Sequence, residues 1–186
     1  MTQAKGSAVV ALADFIKGKQ GDTNYKKWIE ALSPEAKAVF TSSILPSTWF
    51  DLKSILAKPT ELMCKMFYQG TVLGAFDCGK YSADIGLRGV YKVFVKLGSP
   101  NFIIGKASSI IPNYYKPSTM ETVSNEKNLA IVRITSFQDL DIYIENRIAG
   151  WMQRALEISG CKNINVKIPV SLTNGGGKTE YHVTWT

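Results

Sequence analysis

A stripe of small residues constrains this chain more than any other feature. Gly79, Ser82, Ala83, Gly86 and Gly89 fall close to helical i, i+3, i+4, i+7 spacing, and Val93 and Leu97 continue the face. Three glycines in a helix interior cost roughly 1 kcal/mol each relative to alanine. A fold tolerates that cost where a second backbone must come close. The stripe therefore predicts a central helix over residues 79–97, buried along its small face. The opposite face carries Asp84, Arg88, Lys92 and Lys96, with Asp84 and Arg88 spaced for an i, i+4 ion pair. The small face has a second use, close packing against another subunit.

Helical periodicity dominates the residues before the stripe. Residues 7–17 place Val9, Leu12, Ala13 and Ile16 on one face, and Gly18 and Gly21 loosen the end. Asp22, Thr23 and Asn24 offer caps for a second helix with Tyr25, Trp28, Ile29 and Leu32 inward. Ser33 and Pro34 start a third. Trp49, Leu52, Ile55 and Leu56 read as another helix, which Pro59 interrupts or follows with a new one. Leu62, Met63, Met66 and Phe67 add a further stripe. Residues 70–79 read as a mixed lead-in to the central helix. Ser99 and Pro100 open one more helix, which Pro112 ends.

After Pro117 the period changes from 3.6 to 2. Residues 118–124 and 129–135 form a predicted hairpin around a polar turn at 125–128. Residues 139–159 give the clearest helix, with Ile144, Ile148, Trp151, Met152, Ala155 and Leu156 on one face and Gly160 as its stop. A second hairpin follows, with strands at 164–170 and 179–185 around a turn at 174–177. The expected fold is α+β, one domain over residues 1–186. Its helical N-terminal part precedes a four-stranded antiparallel sheet made of two hairpins joined by a long helix.

The net charge is +7, from 22 basic and 15 acidic residues. The basic residues are spread along the chain, not concentrated on one element, so they read as a solvated surface and no nucleic-acid partner is expected. No apolar run reaches the ~18 residues of a membrane span. The short apolar run near the start is broken by Asp14 and lacks a cleavage signature. A cytoplasmic protein is expected. Cys64, Cys78 and Cys161 are odd in number and form no CxxC, which points to reduced structural thiols.

Candidate chemistry is sparse. Gly177, Lys178 and Thr179 imitate the end of a phosphate loop, but Leu172 stands where its first glycine belongs, and a hairpin turn explains them better. His182, the lone histidine, shares strand parity with Glu180 and Thr184 and has no evident catalytic partner. Asp139 and Asp141 suit the start of the long helix electrostatically. No serine sits in a nucleophile elbow. No catalytic residue is assigned, and the chain is not expected to be an enzyme. Trp49, Phe67, Phe102, Tyr114 and Tyr115 are the candidate walls of an apolar ligand pocket between helices and sheet. Cys64 is a candidate for acylation, weighed against ordinary core packing.

Several blocks carry a family resemblance. Lys5 and Gly6, followed by Ala11, Leu12, Asp14, Phe15 and Ile16, are similar to the start of haem nitric-oxide/oxygen-binding domains. The central block, from Gly79 through Tyr81, Ser82, Ala83, Asp84, Gly86, Leu87, Arg88 and Gly89 to Tyr91 and Lys92, resembles an uncharacterised bacterial family abundant in myxobacteria. So do Leu97 to Pro100, Tyr114 to Pro117, Gly150 to Glu157, and Tyr181 to Trp185. That family looks related to 4-vinyl-reductase-type ligand-binding domains and to vesicle-tethering transport-particle subunits. The resemblance implies an α/β core with a mostly apolar pocket, and dimers in several branches; it implies no reaction. Haem-binding relatives hold iron through a mid-domain histidine and carry a Tyr-x-Ser-x-Arg set. This sequence has neither, so no cofactor, and in particular no histidine-held haem, is expected.

The expected function is a non-enzymatic sensory domain in bacterial signalling, binding an apolar small molecule or acyl chain and acting through a partner protein. An alternative is a dimeric interaction module with a filled pocket. A haem-based gas sensor using another iron ligand is a third.

Overall fold

A computed structural model describes residues 1–87 and 99–186, with the side chains of residues 107 and 108 outside the description. The N-terminal part is helical, as the periodicity predicts. Helix α1 (Gly6–Glu30) breaks at Gly21, whose φ of 78° and ψ of 167° leave the helical region, so two helices run end to end. Helix α2 (Pro34–Phe40) starts where the Ser33 hydroxyl accepts from the Ala36 amide at 3.3 Å. A π-helical turn (Lys53–Ala57) runs into α3 (Lys58–Phe67), with Pro59 in the first turn of α3. Then come α4 (Leu73–Gly86), α5 (Pro100–Gly105) and α6 (Ala107–Ile110).

Two antiparallel sheets are present. The small one orders β2 (Trp49–Asp51), β1 (Gln3–Lys5) and β3 (Tyr115–Lys116) side by side. The larger one consists of β4 (Thr119–Glu126), β5 (Leu129–Ser136), β6 (Asn165–Val170) and β7 (Thr179–Thr184), in the order β4-β5-β7-β6. These are the two expected hairpins, joined by α7 (Ile142–Ile158). Along β5 and β7, Ala130, Val132, Ile134, Tyr181 and Val183 are buried, whereas Arg133 and Glu180 pair across strands on the other face.

Two expectations change. Trp49 lies in β2, not a helix, because its backbone pairs with Lys5 of β1, a contact no local pattern encodes. The central helix starts at Leu73, so the supposed lead-in is already helical. Its continuation past Leu87, including the Asp84–Arg88 pair, lies outside the described residues. Asp84 receives the Arg154 Nε at 2.8 Å.

One large apolar core runs from α1 to β7, including Leu12, Phe15, Trp28, Leu56, Met63, Ile144, Ile148 and Tyr181. Each such fully buried large side chain contributes about 1.5–3 kcal/mol. The Trp28 indole, wholly buried, donates to the Pro59 carbonyl at 3.2 Å.

Candidate ligand cavity

Helix α7 is placed by its own sequence. The Asp141 carboxylate accepts from the Ile144 amide at 2.8 Å, capping the first turn. Ile144, Ile148 and Met152 then recur at i+4 and bury against the core. On the side facing α4, glycines set the approach. A Cβ added at Gly79 would overlap the Arg147 carbonyl, and one at Gly150 would overlap the Phe76 carbonyl. At Gly79 the small stripe thus serves backbone contact within the chain. Lys80–Glu157 (2.7 Å) and Arg154–Asp84 (2.8 Å) bridge the same two helices.

Space remains between α1, α4 and α7. An inner cavity of about 50 Å³ is walled by Ser7, Ala8 and Ala11 of α1, Gly79, Ser82, Ile85 and Gly86 of α4, Ile111, Tyr114 and Tyr115, and Arg147, Ile148 and Trp151 of α7. A larger recess of about 360 Å³ adjoins it, lined by Lys5, Ser7, Gly86, Leu87, Ile110, Asn113, Tyr114 and Trp151. Ser7, Gly86, Tyr114 and Trp151 belong to both chambers. The Tyr114 and Trp151 rings lie 6.3 Å apart between centroids. Gly86 accommodates the Tyr114 hydroxyl, which would sit only 2.7 Å from a Cβ there.

Arg147 is the unusual wall residue. It is 2% exposed. Its Nη1 donates to the Thr60 hydroxyl at 3.1 Å and its Nη2 to the Ala8 carbonyl at 3.0 Å. Among the described residues its Nε has no acceptor, and neither has the Trp151 indole nitrogen. Burial pushes the Cys78 thiol and the Tyr115 hydroxyl up, so both stay neutral beside the guanidinium.

Two residues back, Glu145 is buried in a hydroxyl cradle. The Thr179 hydroxyl lies 2.5 Å from its Oε1, and the Ser171 and Thr173 hydroxyls lie 2.7 and 3.1 Å from its Oε2. The turn that imitated a phosphate loop therefore helps to hold a carboxylate.

Of the five aromatic residues expected at the pocket, Tyr114 and Tyr115 line the inner cavity. Trp49, Phe67 and Phe102 line neither chamber. Trp49 carries the Lys116 ammonium 3.9 Å from its ring centroid, Phe67 packs half-buried on the core, and Phe102 is 49% exposed. Cys64 is fully buried in the core, lines neither chamber, and its thiol is pushed up to about 12, chiefly by burial. Sequence reasoning missed Arg147. A signal was present, because a cation stands three and four residues from Ile144 and Trp151 on an otherwise apolar face.

No family model and no curated protein matches this chain. Solved structures do. An H-NOX protein from S. oneidensis in the Fe(II)NO ligation state is 13% identical, with a TM-score of 0.76 over 98% of this chain and 99% of that one. The Fe(II) form of a triple mutant from S. oneidensis scores 0.77 at 12% identity, over 98% and 96%. The Fe(II) unliganded H-NOX protein from K. algicida scores 0.74 at 10% identity, over 98% and 96%. The chain has the H-NOX fold.

These comparisons correct the expectation of no cofactor. The fold is shared with proteins solved as Fe(II) forms and with structures probing haem distortion in the H-NOX family. Haem is therefore the group to weigh here. The residues do not fit a haem held by histidine. The chain's one histidine, His182, lies on β7 with its Nε2 3.2 Å from Glu180, and lines neither chamber. The inner cavity is also far below the roughly 300–1,000 Å³ of a typical ligand site.

Proposed function

We propose that this chain is a sensory domain that binds a small ligand in the two adjoining chambers between α1, α4 and α7. The observation that carries the reading is their shared boundary. Tyr114 and Trp151 stand between a recess of about 360 Å³, within the range of ligand sites, and an inner cavity with a buried cation. The H-NOX fold supports a binding role. No reaction is assigned.

Helix α7 offers a route for the signal. Arg147 and Trp151 face the chambers, while Glu145 on the same helix is held by the hydroxyls of the β6–β7 connection. A ligand that binds one position of α7 better than another shifts the balance between them. A partner protein then reads the hairpin. In this reading the chain stands with the uncharacterised bacterial family that its central block resembles.

A second reading places haem at the same site. The H-NOX neighbours favour it, and Tyr114 at the boundary carries a phenolic oxygen of the kind that holds haem iron as tyrosinate. Native mass spectrometry of the purified protein, with haem titration followed by absorbance and melts against apolar compounds, tests both readings. A retained ligand mass, a Soret band or a raised Tm supports a binding domain. A bare chain that responds to nothing, haem included, rejects it.

A further inference from the structure

We infer that the ligand is a small organic carboxylate with an apolar body, its carboxylate received by Arg147 and Trp151 of α7. This rests on the ligand-binding reading above and adds the chemistry of the ligand. A guanidinium keeps its charge in proteins. Burying one without an anion is expensive, and folds ordinarily pair it. Among the described residues, none of the ion pairs includes Arg147. Its two acceptors, the Thr60 hydroxyl and the Ala8 carbonyl, are neutral. The carboxylate nearest in sequence, Glu145, is engaged by Ser171, Thr173 and Thr179. It lies two residues away, hence on another face of the helix.

Arg147 and Trp151 are one turn apart and wall the same cavity, and each keeps a buried N–H without an acceptor among the described residues. A carboxylate has two oxygens and accepts from two such donors while neutralising the cation. The remaining wall is mostly apolar, with Ala8, Ala11, Ile85, Ile111 and Ile148 beside the hydroxyl-bearing Ser7, Ser82, Tyr114 and Tyr115. The inner cavity, at about 50 Å³, admits the head alone. The body extends past Tyr114 into the recess.

Calorimetric titration with benzoate and octanoate, against benzyl alcohol and 1-octanol as uncharged matches, tests this. The carboxylates are expected to bind about ten- to a hundredfold more tightly than the alcohols, the range of a charge-assisted pair. Arg147→Met is expected to remove that preference. Trp151→Phe, which keeps the ring volume, is expected to reduce it in a protein that melts normally, so the result does not depend on the arginine variant folding. Alcohols binding as well as carboxylates would overturn the inference and leave the binding reading standing, the unpaired nitrogens then being satisfied by ordered water. A preference that survives both variants would overturn it too. Failure of all four compounds and of haem would remove both.

Discussion

Gly79 of α4 and Gly150 of α7 hold the two helices in reciprocal contact, each facing a backbone carbonyl of the opposite helix, Arg147 and Phe76 respectively. The inner cavity lies beside that approach, since Gly79 and Arg147 both line it, and the Arg147 side chain reaches the Ala8 carbonyl of α1.

Gly79→Ala and Gly150→Ala are each expected to destabilise the protein by about 1–3 kcal/mol, the usual cost of overpacking, despite alanine's better helix propensity. Gly18→Ala is the control. Nothing lies within 4 Å of a Cβ there, so it is expected to be neutral or stabilising by up to about 1 kcal/mol. Urea midpoints of the three variants measure the contrast. Equal effects at Gly79 and Gly18 would contradict the close approach.

The Glu145 cradle joins α7 to the β6–β7 connection. Glu145→Ala leaves three hydroxyls without their acceptor and is expected to cost about 2–4 kcal/mol, with Glu145→Gln costing less. Hydrogen exchange of the Ser171 to Thr179 amides reports the linkage. Protection there should fall in Glu145→Ala by more than protection in α1.

Glu180 gives a pH dependence with a definite sign. Lys178 at 2.7 Å, Arg133 at 2.8 Å and His182 at 3.2 Å hold its carboxyl down at about 2. A depressed carboxyl stabilises the fold above its unfolded pKa and loses that contribution as pH falls through the folded value. The stability difference between wild type and Glu180→Gln should be full at neutral pH and shrink between about 4.5 and about 2. A difference that stays constant on acidification would show that the pairs contribute nothing.

Thiol labelling separates the cysteines. Cys64 and Cys78 are fully buried, while Cys161 is half-buried. In mildly alkaline buffer Cys161 is expected to react first, with Cys64 and Cys78 following only on unfolding, since the thiolate is the reactive form. Fast labelling of Cys64 would put it on an accessible channel and revive acylation there.

Much of the fold could be read from residue patterns. The change of period after Pro117, the capped stripe of α7 and the small residues of α4 all encode structure locally; the first two appear where they point, and the third does so as far as Gly86. Trp49 was misplaced because its partner Lys5 is distant in sequence, and pairing outweighed periodicity. The walls of the cavity are legible only in part. Tyr114 and Tyr115 are at the cavity, but Trp49, Phe67 and Phe102 are elsewhere, because an aromatic side chain packs a core or covers a surface as readily as it walls a pocket. Arg147 was overlooked as one cation among many. Only the depth of its burial, which needs α1, α3 and α7 together, distinguishes it.

The most direct test follows backbone amides and the Trp151 indole by ¹⁵N-edited NMR while octanoate, and separately haem, is added to the labelled protein. The account predicts the largest shifts at Ser7, Gly79, Gly86, Tyr114, Arg147 and the Trp151 indole, with smaller ones carried to Ser171 and Thr179. Shifts confined to other surfaces, or none with either compound, would contradict it.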